Sequence, residues 1–79
     1  MDSNTARQIA HLVASAIKSS GKTKASVARE ALIPWTTFSR KISGQSSEFT
    51  LSELLRIAAA LDIEPAALVP SIFSASKAA

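Results

Sequence analysis

The segment of residues 34–43 carries polar side chains that could form specific hydrogen bonds. At about 100° per residue, a helix over this segment would hold Thr36, Thr37 and Arg40 on one side. The opposite side is apolar and consists of Trp35, Phe38 and Ile42. A hydroxyl can bond a base edge or a phosphate, and a guanidinium can hold O6 and N7 of guanine together. If this helix meets DNA, Arg40 is the first candidate for reading a base, with Thr36 and Thr37 beside it; otherwise the three are ordinary solvent-facing positions.

Trp35 lies where the apolar side of this helix meets its first turn. Its ring could pack against a core. If the start of the helix enters a DNA groove, the ring could instead meet sugars or thymine methyl groups. Both interpretations of Trp35 stay open, whereas Phe38 and Ile42 are predicted to be core residues.

Four further residues are candidates for contacts with a phosphate, namely Lys24, Lys41, Ser43 and Ser46. Lys24 would begin a helix, where free backbone N–H groups already favour an anion. The other three lie at or just beyond the end of the polar helix, within reach of a flanking phosphate. Contacts of this kind would position the chain on a polyanion without selecting its sequence.

The charge of the chain is divided between two blocks of opposite sign. Nine basic and six acidic residues give a net charge of +3. Residues 18–41 hold six bases and one acid, a balance of +5, whereas residues 48–64 hold four acids and one base, a balance of −3. One side of the folded chain should therefore suit a polyanion.

The chain lacks the residue groups that several other classes of function need. It has no cysteine, so neither a disulfide nor a thiolate metal site is available. His11 is the single histidine and is predicted to be solvated, not a metal ligand. With no glycine-rich phosphate loop and no nucleophile–base pair, we expect neither an enzyme nor a bound cofactor. No apolar run approaches the ~20 residues of a membrane span, and the first residues lack the order of a secretory signal, so we expect a cytoplasmic protein.

Apolar spacing predicts five helices and no strand. The predicted helices cover residues 5–20, 24–31, 34–43, 51–61 and 64–69. Gly21 and Gly44 would end the first and third helices, because glycine tolerates the left-handed conformation found there. Thr50 and Glu53 have the spacing of a capping box, which predicts the start of the fourth helix.

The remaining predictions concern the core and the limits of the domain. The fourth helix is predicted to contribute Leu51, Leu54, Leu55 and Leu61 to the core. Residues 45–49 are predicted as a polar loop. Residues 1–73 would form one small domain, and residues 74–79, which are mostly small, would form a flexible tail.

The second and third helices, joined by a tight turn, have the pattern of a helix-turn-helix. At this point the chain resembles the lambda-repressor-like, Cro-type family of bacterial and phage DNA-binding domains, from about Val13 to Leu68. The resemblance is carried by residues 26–31 (SVAREA), 33–44 (IPWTTFSRKISG) and 49–63 (FTLSELLRIAAALDI). It implies an all-α, five-helix bundle that binds double-stranded DNA, with the third helix in the major groove. It also implies a transcription regulator, expected to be a repressor.

The chain departs from the family pattern at four positions of the motif. Lys24 stands where the family usually has glutamine, and Leu32 where it often has glycine. Pro34 replaces the usual capping serine, and Trp35 replaces a frequent glutamine. Because two of these positions lie at the start of the reading helix, the family's base preference is not carried over to this chain.

Two other functions fit the same residues. A protein-interaction module, such as an antitoxin or an anti-repressor, would use the basic side to meet an acidic partner. An architectural or recombination accessory factor would share the DNA-binding side without regulating transcription. Salt-dependent binding to duplex DNA separates the first alternative from the others, and the location of the bound sites separates the second.

Self-association is the last expectation from the sequence. Val69, Ile72 and Phe73 exceed the apolar residues that a five-helix core needs. They would support a weak homodimer, formed in solution or only on DNA, or bury a terminal turn against the domain. A symmetric dimer would bind two half-sites about 34 Å apart, one turn of the duplex.

Overall fold

The computed structural model describes residues 3–44 and 48–69, in which every regular element is a helix and no strand occurs. The four α-helices are α1 (Ser3–Ser20), α2 (Lys24–Glu30), α3 (Trp35–Ile42) and α4 (Leu51–Leu61). They agree with the first four predicted helices to within two residues at each end. The predicted fifth helix is not confirmed as an α-helix, because Pro65–Leu68 is a single 3₁₀ turn. Its backbone bonds span three residues, from the Ala67 N–H to the Glu64 carbonyl at 3.0 Å.

Local side-chain hydrogen bonds cap the starts of α2 and α4, at the positions where the sequence predicts that these helices begin. The hydroxyl of Thr23 accepts a hydrogen bond from the Ser26 N–H at the start of α2. At the start of α4, the Thr50 hydroxyl accepts from the Glu53 N–H, and Oε1 of Glu53 accepts from the Thr50 N–H at 2.8 Å. The predicted capping box is therefore confirmed, and it satisfies two amide groups that the helix itself leaves unpaired.

All described helices contribute to one core. Phe38 of α3 is fully buried and meets the ring of Phe49 edge-on, with centroids 5.7 Å apart. The other buried members of this cluster are Ile9, Val13, Ile17, Val27, Ala28, Ala31, Ile33, Leu54, Ile57, Ala58, Leu61 and Leu68. Phe49 was expected in a polar loop, and its burial corrects that prediction. Burying a large aromatic ring is strongly favourable, because it removes a large apolar surface from water.

Two of the four leucines of α4 that were predicted to be core residues are buried. Leu54 and Leu61 are buried, but Leu51 is 71% and Leu55 is 47% exposed. Two sets of apolar residues in α4 have the spacing of one helix face. The first set is 51, 54, 55 and 58, and the second is 54, 57, 58 and 61. The packing of α4 against α2 and against the 3₁₀ turn selects the second set. Ile42, the other predicted core residue, is half-buried and packs against the cluster.

Some predictions fall on residues that the structure does not describe. The proposed phosphate contact of Ser46, the apolar residues Ile72 and Phe73, and the tail at 74–79 lie outside the described ranges. Val69 is described, and it packs half-buried against its own core. Among the helices of residues 3–44 and 48–69, none has the length and apolar character needed to cross a membrane.

Candidate nucleic-acid interface

The turn between α2 and α3 sets the angle at which the third helix is presented. Leu32 adopts φ 60°, in the left-handed region that favours glycine. The Leu32 N–H bonds the Arg29 carbonyl at 3.1 Å, and the Ile33 N–H bonds the Ala28 carbonyl at 2.9 Å. Ile33 is buried, whereas the Leu32 side chain is 77% exposed. The turn therefore has the geometry that glycine would serve, even though a leucine occupies the position.

A side chain from α4 also holds this turn. Nε of Arg56 donates to the carbonyl oxygen of Ala31 at 2.7 Å, and its Nη1 donates to the Ser52 hydroxyl at 3.0 Å. Ala31 is the residue that caps the C-terminus of α2, so its carbonyl has no partner within that helix. A cation at a helix C-terminus is also favoured by the helix dipole. Arg56 thus links α4 to the junction from which α3 departs.

The reading side of α3 is open to solvent. Thr36 and Arg40 are exposed, and Thr37 is half-buried. Within residues 3–44 and 48–69, no hydrogen bond or ion pair engages the side chain of any of the three. The opposite side is fixed, because Phe38 lies at the centre of the core. The structure therefore brings the three predicted base-reading residues together on the free side of an anchored helix.

Trp35 packs against the core and is also partly exposed, so both roles predicted for it remain possible. Its ring stacks on Phe38 with centroids 6.1 Å apart and planes 21° from parallel. The side chain nevertheless remains 52% exposed at the first residue of α3. One part of the ring therefore covers the core, and the rest is available to a ligand.

Lys41 has a partner inside the protein. Its Nζ donates to Oε1 of Glu53 at 2.8 Å, and the two side chains are only 10% and 13% exposed. Burial alone would raise the pKa of Glu53, but hydrogen bonds from Lys41 and from the Thr50 N–H outweigh it and lower the pKa below its ordinary 4.5. To make the predicted phosphate contact, Lys41 would have to give up this ion pair. The ammonium is used to join the end of α3 to the start of α4.

The other predicted phosphate contacts differ in how available they are. Lys24 is exposed at the first residue of α2, and no described side chain pairs with it. The Ser43 hydroxyl is exposed but donates to the Arg40 carbonyl at 2.9 Å. To donate to a phosphate, Ser43 would have to exchange that internal bond. Lys24 is thus the more accessible of the two.

Lys22 links α2 to α4 through a contact that the sequence does not indicate. Its Nζ donates to Oε1 of Glu30 at 3.1 Å and to the Ala60 carbonyl at 2.8 Å. Glu30 also accepts from the Ser26 hydroxyl, and the bonds from Lys22 and Ser26 lower the pKa of Glu30. The carbonyl of Ala60 lies 38 residues away along the chain, so no local spacing signals this contact. Lys22 therefore belongs to the scaffold although it lies in the basic block.

Comparison with known proteins agrees with this architecture. The family model for the Cro/C1-type HTH DNA-binding domain matches residues 15–70, which is more than half of the chain. The match includes α2, the turn, α3, α4 and the 3₁₀ turn. Neither the search of curated proteins nor the search of solved structures found a match. The extent of the family match, together with the anchored helix pair, shows that the chain belongs to the Cro/C1-type HTH DNA-binding domain family.

Proposed function

We propose that this protein binds a specific double-stranded DNA site and regulates transcription there as a repressor of bacterial or phage type. Helix α3 would enter the major groove and read bases through Arg40, Thr36 and Thr37. Acting on cellular DNA, it would work in the cytoplasm. The membership of the Cro/C1-type family supports DNA binding, and the residues on α3 support sequence reading.

The free guanidinium of Arg40 carries the proposal. It stands on a helix whose other side is immobilised by Phe38, and it has no competing carboxylate among the described residues. A guanidinium held in this way can make two parallel bonds to guanine. Lys41, the next base along the helix, is instead neutralised by Glu53. The two adjacent cations thus divide their roles between recognition and folding.

Anchoring to the DNA backbone is assigned to Lys24, with Ser43 and Ser46 as further contacts. Lys24 lies at the exposed start of α2, one helix away from the reading residues. A contact with a phosphate there would fix the position of α3 in the groove without selecting bases. Trp35 would cover part of the same groove with the exposed portion of its ring.

The test begins with selection of bound fragments from random duplex DNA. Arg40→Ala should weaken binding to the selected duplex by about 1–3 kcal/mol and leave a scrambled duplex nearly unaffected. Lys24→Ala should weaken both duplexes alike and lower the slope of log affinity against log salt by about 1. Arg29→Ala is the matched control, because it removes an exposed arginine from α2 and not from α3.

Each outcome of this test has a clear meaning. All three substitutions are on exposed positions, so unfolding should change by no more than roughly 0.5 kcal/mol. If Arg40→Ala weakens the selected and scrambled duplexes equally, Arg40 is a phosphate anchor and does not read bases. If the unmodified protein binds no duplex at any salt concentration, the function is that of a protein-interaction module.

A homodimer on DNA extends this proposal. One domain with one short reading helix contacts few base pairs, whereas two symmetric copies would read half-sites about 34 Å apart. Val69 packs against its own core, so the sequence-based argument for self-association rests on Ile72 and Phe73. Sedimentation with a selected palindromic duplex checks this proposal. A single protein copy on the best duplex would reject the dimer.

A further inference from the structure

Helix α1 carries a line of basic side chains on its exposed side. Arg7, His11 and Lys18 are all exposed, and at about 100° per residue they lie within roughly 40° of one another around the helix. At a rise of 1.5 Å per residue, Arg7 and Lys18 are about 16 Å apart along the axis. We call these three residues the α1 strip. It lies outside the reading helix, and the function proposed so far does not use it.

Two open grooves border the α1 strip, and no carboxylate lines either of them. The first has a volume of 450 Å³ and is lined by His11, Ala14, Ser15, Ile17, Lys18, Lys22 and Lys24. The second, of 240 Å³, is lined by Arg7, Ala10, His11, Ala14, Ile42, Ser43 and Gly44. His11 and Ala14 line both grooves, so the two form one continuous band along α1.

The ends of this band coincide with two of the proposed phosphate contacts. One end is Lys24 at the start of α2, and the other is Ser43 just after α3. Arg7 lies close against that second end, since a Cβ added to Gly44 would come 3.4 Å from Cγ of Arg7. The α1 strip therefore bridges two points that the proposed function already places near DNA phosphates.

Three other basic side chains differ from those of the strip in having partners within the protein. Lys22, Lys41 and Arg56 are all engaged by acceptors within the protein. By contrast, the side chains of Arg7 and Lys18 make no hydrogen bond or ion pair with any residue that the structure describes. Unpaired cations beside a groove free of acids form a region of positive potential, which attracts a polyanion. Several basic side chains therefore stabilise the fold, whereas Arg7 and Lys18 of α1 remain available to bind a ligand.

We infer that the α1 strip is a second contact surface for the sugar–phosphate backbone of duplex DNA, extending the footprint beyond the groove that α3 reads. This inference rests on the proposed DNA-binding function. Each strand carries one charge per 3.4 Å of duplex axis, so a strip about 16 Å long spans several phosphates. Arg7 and Lys18 contact those phosphates, with the His11 ring between them. The added contacts are independent of sequence and raise affinity for every duplex.

The experiment compares single-charge variants on the selected and scrambled duplexes over a range of salt concentrations. Lys18→Gln should lower the salt slope by about 0.9, and Arg7→Gln with Lys18→Gln should lower it by about 1.8, on both duplexes. Lys18→Arg keeps the charge and should restore the slope. Arg29→Gln removes the same charge away from the strip and should leave the slope unchanged.

Backbone protection gives a second, independent readout. Hydroxyl-radical footprinting should show a protected stretch of sugars beyond the base pairs that Arg40 reads, and Lys18→Gln should remove that protection alone. An unchanged slope and footprint in Lys18→Gln would overturn the inference while leaving DNA binding intact. Equal losses in Lys18→Gln and Arg29→Gln would also overturn it, since they would indicate a diffuse field and not a contact. Absence of any duplex binding by the unmodified protein would overturn the proposed function itself.

Discussion

The pair formed by Lys41 and Glu53 should be worth much more to stability than an exposed ion pair of the same type. Its two side chains are 10% and 13% exposed, and the 2.8 Å bond also supports the capping box of α4. A hydrogen bond between charged groups contributes about 1.5–3 kcal/mol to stability. We therefore expect a coupling energy of about 2 kcal/mol from a double-mutant cycle with Lys41→Met and Glu53→Gln.

The same chain supplies the comparison. Lys22 and Glu30 also form an ion pair, at 3.1 Å, but their side chains are 40% and 43% exposed. Exposed pairs are typically worth 0.2–1 kcal/mol. A parallel cycle with Lys22→Met and Glu30→Gln should therefore give a clearly smaller coupling energy than the cycle at Lys41 and Glu53. Urea unfolding followed by circular dichroism measures all the variants on one scale. Equal coupling energies for the two pairs would refute the reasoning from burial.

The pH dependence of stability provides a second measurement on Glu53. Its pKa in the folded protein lies below the ordinary 4.5 because Lys41 and the Thr50 N–H bond the charged form. The stability from this carboxylate is thus fully present above pH 4.5 and is lost as the pH falls below that value. The Glu53→Gln variant should lose less stability than the unmodified protein over this acidic range. An identical loss in both would show that Glu53 does not contribute to it.

Three further substitutions test how the helix pair is held. Leu32→Gly should stabilise the protein by about 0.5–1 kcal/mol, because relief of the left-handed strain exceeds the added entropy of the unfolded chain; a lower midpoint in urea would contradict this. Arg56→Met should cost about 1–2 kcal/mol, since the Ala31 carbonyl loses a charged donor, and no change in the thermal midpoint would show that the bond is dispensable. Phe38→Ala should cost about 3–5 kcal/mol by opening a cavity at the centre of the core, and calorimetry that still finds a stable, cooperative transition would argue against this central role.

The parts of the fold that depend on neighbours in sequence were predictable. The spacing of Thr50 and Glu53 indicated the capping box, and Gly44 indicated the end of α3, because both signals act within one turn of the chain. Pro34 likewise indicated where α3 begins. The structure agrees at each of these positions.

The parts that depend on tertiary packing were not predictable. Two overlapping stripes of α4 had helical spacing, and only contact with α2 and the 3₁₀ turn excluded Leu51 and Leu55 from the core. The partners of Lys22 and Arg56 are backbone carbonyls on other elements, which carry no residue-specific signal. For the candidate site, the side of α3 that faces solvent was predicted, but the availability of each cation was not. Lys41 shows why, since its partner lies beyond an intervening loop.

The position of Trp35 gives this domain a built-in optical reporter. The chain has one tryptophan and no tyrosine, so near-ultraviolet-excited emission comes essentially from this single indole. The ring rests partly on Phe38 and is otherwise open to water at the start of α3. Unfolding would move the indole fully into water and shift its emission to the red, whereas a base stacked near it would quench the emission without such a shift. The emission of Trp35 can therefore report unfolding and DNA binding separately in one unlabelled sample.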